Sequence, residues 1–352
     1  MKPRYRLIIS RWNRLFTAAQ KGGKLIRNWA KKHKKNIFLG AIIFFVLGTI
    51  LTATLLKGIA IGKERLAHAD SSIRFGAIGD FEYGTRKKVG NKLTSLTPSE
   101  LEKVVAFYNA EWQPAFVVEL GDMVESSGVK PSKAIRQFLD IDTIFQKLDA
   151  RTEYVLGNHD LRSLSKEDLR KTLGLSDNHR YFDEGAWRFV IMDTNFDKER
   201  DGAPLGPHHY VFGFVPESEF VWLEEALDTD RPTIIFLHHP PIPGEKNLRN
   251  YEEVREFFAR YPHVTLTISG HDPSFKFFEE NGFSSLVVDN LANKDSIGSF
   301  ATLDARYNSL TREASVLIEH YGPTRQSLEV KKTLPGPRPR WVNMMDRLGI
   351  KE

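Results

Sequence analysis

The sequence predicts an α/β domain organised around parallel strands, with one apolar membrane-spanning segment ahead of it. Three observations carry this. Five short apolar runs each end on a residue that can hold a metal or touch a phosphate: FGAIGD at Asp80, FVVELGD at Asp122, YVLGNHD at Asn158 and His159, IIFLHHPP at His238, and LTISGHD at His271. Runs of roughly four to eight β-branched and aromatic residues read as strands buried on both faces, and helix-like stretches alternate with them. Near the N-terminus, residues 37–56 read IFLGAIIFFVLGTILTATLL, twenty residues without a charge.

Residues 1–35 form a basic arm with twelve Lys or Arg and no acid. Ile8, Trp12, Leu15, Phe16 and Ala19 share one helical face with Arg11 and Arg14 off it, so the arm reads either as a helix in the membrane interface or as a plain basic flank. Segment 36–57 is long enough to span the hydrocarbon core at ~1.5 Å per residue. The basic flank before it predicts a cytoplasmic N-terminus and a main domain on the extracytoplasmic side of a single-pass anchor. Ala67-His68-Ala69 also fits the A-x-A pattern of signal-peptidase sites. The apolar core, however, exceeds the roughly 7–15 residues of a signal peptide, and Lys63, Glu64 and Arg65 interrupt the approach, so a retained anchor is expected. Cleavage leaves the same domain in the same compartment. Residues 58–72 read as a polar tether.

The globular domain is expected over 73–325. After its first strand, 84–97 is a basic, turn-rich loop over the site. TPSELEKVVAFYNAEW, 97–112, opens with Thr97 as cap, Pro98 at the first helical position and Glu100 three residues after the cap, a capping-box start. The Pro- and Gly-rich insert DKERDGAPLGPHHYVFGFVP, 197–216, either shapes a substrate pocket or is a surface excursion. KKTLPGPRPRW, 331–341, has three prolines, four basic residues and no periodicity, so 326–352 reads as an extended tail.

A chain of 352 residues with 41% hydrophobic content can bury a real core. It contains no cysteine, which excludes thiolate metal sites, disulfides and cysteine nucleophiles. The net charge of +5 is segregated: from residue 36 on, 38 basic face 45 acidic side chains, a net of −7. An acidic domain lacks the clustered cations that neutralise phosphate backbones, so no nucleic-acid partner is expected.

Parallel sheets bind ligands in the crevice beyond the carboxyl ends of their strands, so one crevice collects all five motifs. Carboxylates, an amide and imidazoles are the residue types of a binuclear hydrolytic centre. There two divalent cations ~3.5–4 Å apart clamp a phosphoryl group and acidify a water between them. Asp122 is the natural bridging carboxylate. An isolated Gly-Asp after a strand is usually a turn, and a lone buried histidine a hydrogen-bonded core residue; the joint set is neither.

The ordered set Asp80, Gly121-Asp122, Gly157-Asn158-His159-Asp160, His238 and Gly270-His271 resembles the calcineurin-like metallophosphoesterase family over roughly residues 73–320. HRYFDEGAWRFVIMDTN at 179–195 and PESEFVWLEEAL at 216–227 resemble that family's central strand pair and the helix before its fourth motif. The resemblance implies a four-layer α/β/β/α metallophosphoesterase sandwich that hydrolyses phosphate mono- or diesters, with a small-molecule or lipid-headgroup substrate. It implies metal ligands at Asp80, Glu82, Asp122, Asn158, His238 and His271, and a substrate-phosphate contact by His159; because His159 directly follows the ligand Asn158, it is also the candidate proton donor to the leaving oxygen, with Asp160 or Glu125 orienting it. His179, His208, His209 and His239 are expected at the surface or behind the ligands.

Two positions depart from the family's pattern. Its D-x-H is Asp80-Phe81-Glu82 here, and its G-H-x-H is Gly270-His271-Asp272-Pro273. Both fall on the first metal site; the second keeps Asp122, Asn158, His238 and His271. Three readings stand. Glu82 replaces the missing imidazole and makes an oxygen-rich site favouring Mn²⁺ or Mg²⁺ over Zn²⁺; or the first site stays vacant; or the chain is a non-catalytic, membrane-tethered domain that binds metal or phosphate. The expected cofactors are two divalent ions (Mn, Fe, Mg or Zn), or one firmly bound. Asp272 either contributes or starts the turn into Pro273.

Overall fold

In chain order the first strands are β1 (Ser71–Ile78), β2 (Phe116–Glu119), β3 (Arg151–Tyr154), β4 (Arg180–Glu184), β5 (Trp187–Ile191), β6 (Phe196–Asp197) and β7 (Ala203–Pro204). They continue as β8 (Thr233–Phe236), β9 (Val264–Ser269), β10 (Lys276–Glu280), β11 (Phe283–Val287), β12 (Phe300–Asn308), β13 (Glu313–Tyr321) and β14 (Gln326–Thr333). Among the described residues from 71 on, the α-helices are α1 (Thr97–Phe107), α2 (Pro131–Phe145), α3 (Lys166–Leu173), α4 (Glu217–Ala226) and α5 (Tyr251–Ala259). This computed structural model describes residues 71–336 except 85, 201 and 209, together with positions 22, 23, 31, 32, 49 and 52.

Among the described residues the strands form two six-stranded sheets, ordered β14-β13-β12-β1-β2-β3 and β10-β11-β9-β8-β5-β4, plus the small β6-β7 ladder. β1, β2 and β3 run parallel, as do β5, β8, β9 and β11. Because both faces of each sheet are covered, the central strands FVVE, TIIF and VTLTIS are buried at every position, which is why they read as continuous apolar runs and not as alternating ones.

Between the sheets lies an aromatic core. Phe75 stacks on Phe116 at 5.1 Å, and Phe189 meets Phe116 edge-on at 4.8 Å, beside fully buried Trp187 and Phe236. On the outer face of the first sheet, Leu101 and Val104 of α1, Phe138 and Ile141 of α2 and Leu169 of α3 form a second cluster. Phe220 and Leu223 of α4 and Val254 and Phe257 of α5 cover the other sheet. The result is the expected four-layer α/β/β/α sandwich. Full burial of each such side chain is worth ~1.5–3 kcal/mol, and Phe138→Ala in α2 is expected to cost ~3–5 kcal/mol.

Several expectations change. Thr97 is not a cap: its hydroxyl donates to the Phe81 carbonyl at 2.8 Å, and Leu96 occupies the cap position without a side-chain bond. The hydroxyl serves the first site loop instead of the helix end. A capping box does occur at Ser165–Asp168, opening α3. The β4–β5 pair lies at the edge of the second sheet, not its centre. The boundary set at 325 falls before β14, which pairs with β13 from Gln326 to Thr333; the polar residues of this edge strand hid its register. β1 likewise begins at Ser71, within the expected tether.

The chain divides into two units, Met1–Leu66 and Ala67–Glu352. In the first, Gly22, Gly23, Lys31, Lys32, Thr49 and Thr52 are helical. Apart from these positions, the basic arm 1–35, the anchor 36–57, the tether up to residue 70 with its Ala67-His68-Ala69, and the tail beyond 336 lie outside the described residues. Among the described residues no helix is long and apolar enough to cross a membrane.

Candidate metal centre

Each singled-out residue follows the carboxyl end of a parallel strand: Asp80 after β1, Asp122 after β2, Asn158 and His159 after β3, His238 after β8 and His271 after β9. The turns that carry them are tight. Glu82, Asp122 and His271 adopt positive φ of 51°, 61° and 68°, conformations that cost ~1–3 kcal/mol each and cluster at functional sites. Gly157 is obligatory, since a Cβ there would lie 2.0 Å from the Asp122 nitrogen.

His238, His271, Asn158 and Asp122 form one set. His238 Nδ1–H donates to the Leu120 carbonyl at 2.8 Å and His271 Nε2–H to the Lys246 carbonyl at 2.8 Å, while the Asn158 amide nitrogen donates to Tyr210 O at 2.9 Å. In its neutral form each ring therefore turns its other nitrogen, His238 Nε2 and His271 Nδ1, inward as a free acceptor. His238 Nε2 lies 3.1 Å from Asn158 Oδ1, 3.2 Å from His271 Nδ1 and 3.4 Å from Asp122 Oδ2, and His271 Nδ1 lies 3.1 Å from Asn158 Oδ1. Acceptors so close repel unless a proton on His238 or a metal cation lies among them. A tetrahedral shell at ~2.1 Å has edges of roughly 3.4 Å, so the spacing is that of metal ligands whose outer nitrogens are fixed by carbonyls. The donor set fits a divalent ion.

The electrostatics agree. Burial and the neighbouring His238 push His271 down to about 3, so its ring is neutral and ligand-competent. Burial opposes charge on His238, but Asp122 outweighs it and lifts the ring to about 9: the pocket draws in positive charge. Burial raises Asp80, with Asp122 adding to it, to about 8.

Asp80, Glu82 and Asp122 form a buried carboxylate group beside this set. One Asp80 oxygen accepts the His271 N–H at 2.9 Å. Glu82 Oε1 lies 2.5 Å from Lys92 Nζ. Pro273 is exposed, and Asp272 starts the turn, accepting Ser274 N–H at 3.1 Å and pairing with Lys276.

His159 sits on the other side of Asp122. Its backbone N–H donates to Asp122 Oδ1 at 2.6 Å and its ring Nδ1 lies 2.7 Å from Glu125 Oε2. Burial alone would lower this imidazole, but Asp122, Glu82 and Glu125 raise it. Glu125 is the orienting carboxylate; burial is outweighed by His159 and Lys92, holding it far below the usual range. Asp160 is not that carboxylate. Its oxygens accept the backbone N–H groups of Asp122, Val124 and Gly157 at 2.9, 3.0 and 3.0 Å, so it clamps the two ligand loops together and never meets the His159 ring.

Three residues escaped the sequence reading. Lys92 projects from the 84–97 loop between Glu82 and Glu125, Arg162 Nη1 lies 2.8 Å from His159 Nδ1, and the Tyr210 carbonyl of the insert holds Asn158. The only signal was indirect: a basic loop over an acidic site, and Arg162 one turn past GNHD. His239 is buried behind the ligands, within 2.8 Å of the Thr194 hydroxyl and packed on His271, while His179 stacks on Trp222 well away from the centre.

Comparison with known proteins agrees with this geometry. The chain is 27% identical to the 3',5'-cyclic adenosine monophosphate phosphodiesterase CpdA of Escherichia coli (strain K12) over 44% of its own length and 53% of that protein's. It is 28% identical to the probable cyclic nucleotide phosphodiesterase RPA0124 of Rhodopseudomonas palustris over 70% of this chain and 91% of that one. Across the first of its curated relatives it spans about half their length. A dimetal phosphatase from Danio rerio shares the fold, with a TM-score of 0.58 at 19% identity over 74% of this chain and 99% of that one. Residues 73–275, which carry every candidate ligand, match the Calcineurin-like phosphoesterase family model, so by both sequence and strand-end geometry this chain belongs to the calcineurin-like phosphoesterase family.

Proposed function

We propose that the chain is a metal-dependent phosphoesterase acting on phosphodiesters of small molecules at the extracytoplasmic face of a membrane. The observation that carries the activity is the convergence of ligand atoms from His238, His271, Asn158 and Asp122. A divalent ion bound there supplies Lewis acidity to the phosphoryl oxygens and lowers the pKa of water. His159, its imidazole raised by surrounding carboxylates and gripped by Glu125, delivers a proton to the leaving oxygen. Asp160 keeps the Asp122 and Asn158 loops in register. A cavity of about 360 Å³ runs along the insert's Tyr210 and Phe212 with Phe196 and Arg249; it is tied to the centre through Tyr210, whose carbonyl holds Asn158, and is read as room for a leaving group. A diester is favoured because the relatives above carry the names of cyclic-nucleotide phosphodiesterases.

The first metal site is read as incomplete, since Pro273 cannot ligate and Glu82 is engaged by Lys92. That ion pair favours a second reading, a mononuclear or non-catalytic metal-binding domain. Membrane anchoring by 37–56, with the domain outside the cytoplasm, rests on the uncharged stretch and the basic arm before it.

Turnover decides between the readings. The full chain, stripped by chelator and resupplied with Mn²⁺, is expected to hydrolyse bis(4-nitrophenyl) phosphate and 3',5'-cyclic AMP, and His238→Ala to abolish both. Tight Mn²⁺ binding with no hydrolysis of either diester or of 4-nitrophenyl phosphate overturns the catalytic reading in favour of the binding domain.

A further inference from the structure

We propose that the ammonium of Lys92 is a built-in cation that stands in for one of the two metal ions, so that each chain holds a single divalent ion. This rests on the metal-centre reading above.

The lysine is built into the site, not draped over it. Its side chain is only 19% exposed, and Nζ lies 2.5 Å from Glu82 Oε1 and 3.0 Å from Glu125 Oε2. It also lies 2.9 and 3.1 Å from the two ring nitrogens of His159. Flexible surface lysines rarely hold such a position. Here the loop fixes it: Lys92 and Val89 exchange both backbone hydrogen bonds at 2.9 and 3.0 Å around Gly90, and Leu93 N–H donates to Ala292 O at 2.7 Å. The stem therefore enters the centre from a pinned turn.

Glu82 stands where the first site's imidazole is missing, and one of its oxygens faces an ammonium. The opposite side of that site offers exposed Pro273 and an Asp272 committed to its turn. Charge balance points the same way. Asp80, Glu82 and Asp122 are three buried carboxylates grouped within ligand distance of one another. One divalent ion among the imidazoles and one ammonium against Glu82 neutralise them; a second divalent ion does not enter without displacing Lys92. Glu125 is meanwhile matched by Arg162 at 3.3 Å. Lys92 is then the fixed positive charge facing a phosphoryl oxygen on the side where a binuclear enzyme uses its other ion, a role an ammonium fills as a point charge.

The test counts ions. Full-length wild type, equilibrated with excess Mn²⁺ and gel-filtered, is expected to hold one ion per chain by elemental analysis, and Lys92→Met two. Electron paramagnetic resonance of the wild type is expected to show isolated Mn²⁺ and no exchange-coupled pair. Two ions, or a coupled pair, in the wild type overturns the proposal, and this measurement stands even where Lys92→Met fails to fold. One ion in both proteins also overturns it, because the lysine then blocks nothing. Wild type without any bound ion overturns the metal-centre reading itself, whereas loss of a single ion in His238→Ala upholds that reading independently of Lys92.

Discussion

His159 Nδ1 and Glu125 Oε2 meet at 2.7 Å in a corner where Arg162 and Lys92 also converge, and His159's backbone N–H is donated to Asp122. One residue is thus bonded to a metal ligand through its main chain and to a non-ligand carboxylate through its ring. That division predicts separable defects. His159→Ala is expected to retain metal yet lose ~10²–10⁴-fold on esters with poor leaving groups and much less on nitrophenyl esters. Glu125→Gln should follow the same pattern more weakly. Equal losses on both substrate types in paired kinetics would rule out the donor role.

Asp122 touches both halves of the centre, lying 3.4 Å from His238 Nε2 while its other oxygen holds the His159 backbone. Asp122→Asn is expected to lower metal content and abolish turnover with little change in unfolding temperature, because the residue sits at a loop end outside the packed clusters. Metal analysis beside a thermal melt checks this; near-normal turnover contradicts it.

Gly157→Ala puts a methyl group 2.0 Å from the Asp122 nitrogen and 2.2 Å from its Oδ1. Metal binding should collapse in this variant. Gly174→Ala, at φ +67° in open space, should cost only ~1–2 kcal/mol of stability and leave metal binding intact. Comparable metal retention in the two variants would contradict the packing argument.

His179 gives a pH signature separate from the centre. Burial opposes its charge, but the Glu219 carboxylate at 2.9 Å outweighs it and raises the imidazole above its ordinary 6.5. With the Glu219 carboxyl, itself raised above 4.5 by burial, ionised, the ion pair stabilises the fold fully up to about pH 6.5 and fades as pH rises through the raised His179 value; at lower pH it is lost again as Glu219 takes up a proton. The stability difference between wild type and His179→Gln, about 1 kcal/mol for such a bond, should shrink along that rise in denaturant titrations; a pH-independent difference would refute the linkage.

The absence of cysteine makes topology testable with one substitution. Ser327→Cys, exposed on β14, is expected to react with a membrane-impermeant maleimide in intact cells. Labelling only after lysis would put the domain in the cytoplasm.

The sequence alone determined the α/β class and the five strand-end motifs. Strands covered on both faces must be continuously apolar, and the turn after a parallel strand is where polar residues can be gathered. It also singled out Asp122, Asn158, His238 and His271, which the structure gathers in one place, since each sits at such a turn. What only the tertiary structure decided was which of several plausible carboxylates does what. Asp160 is the immediate sequence neighbour of His159 and Glu125 lies 34 residues away, yet Asp160 points into three backbone N–H groups, leaving Glu125 for the ring. Lys92 lies ten residues from Glu82 in a loop whose path depends on a bond to Ala292, a contact no local pattern encodes. β14 was hidden for the same reason: a polar edge strand acquires its identity from the partner beside it, and that partner is chosen by the assembled sheet.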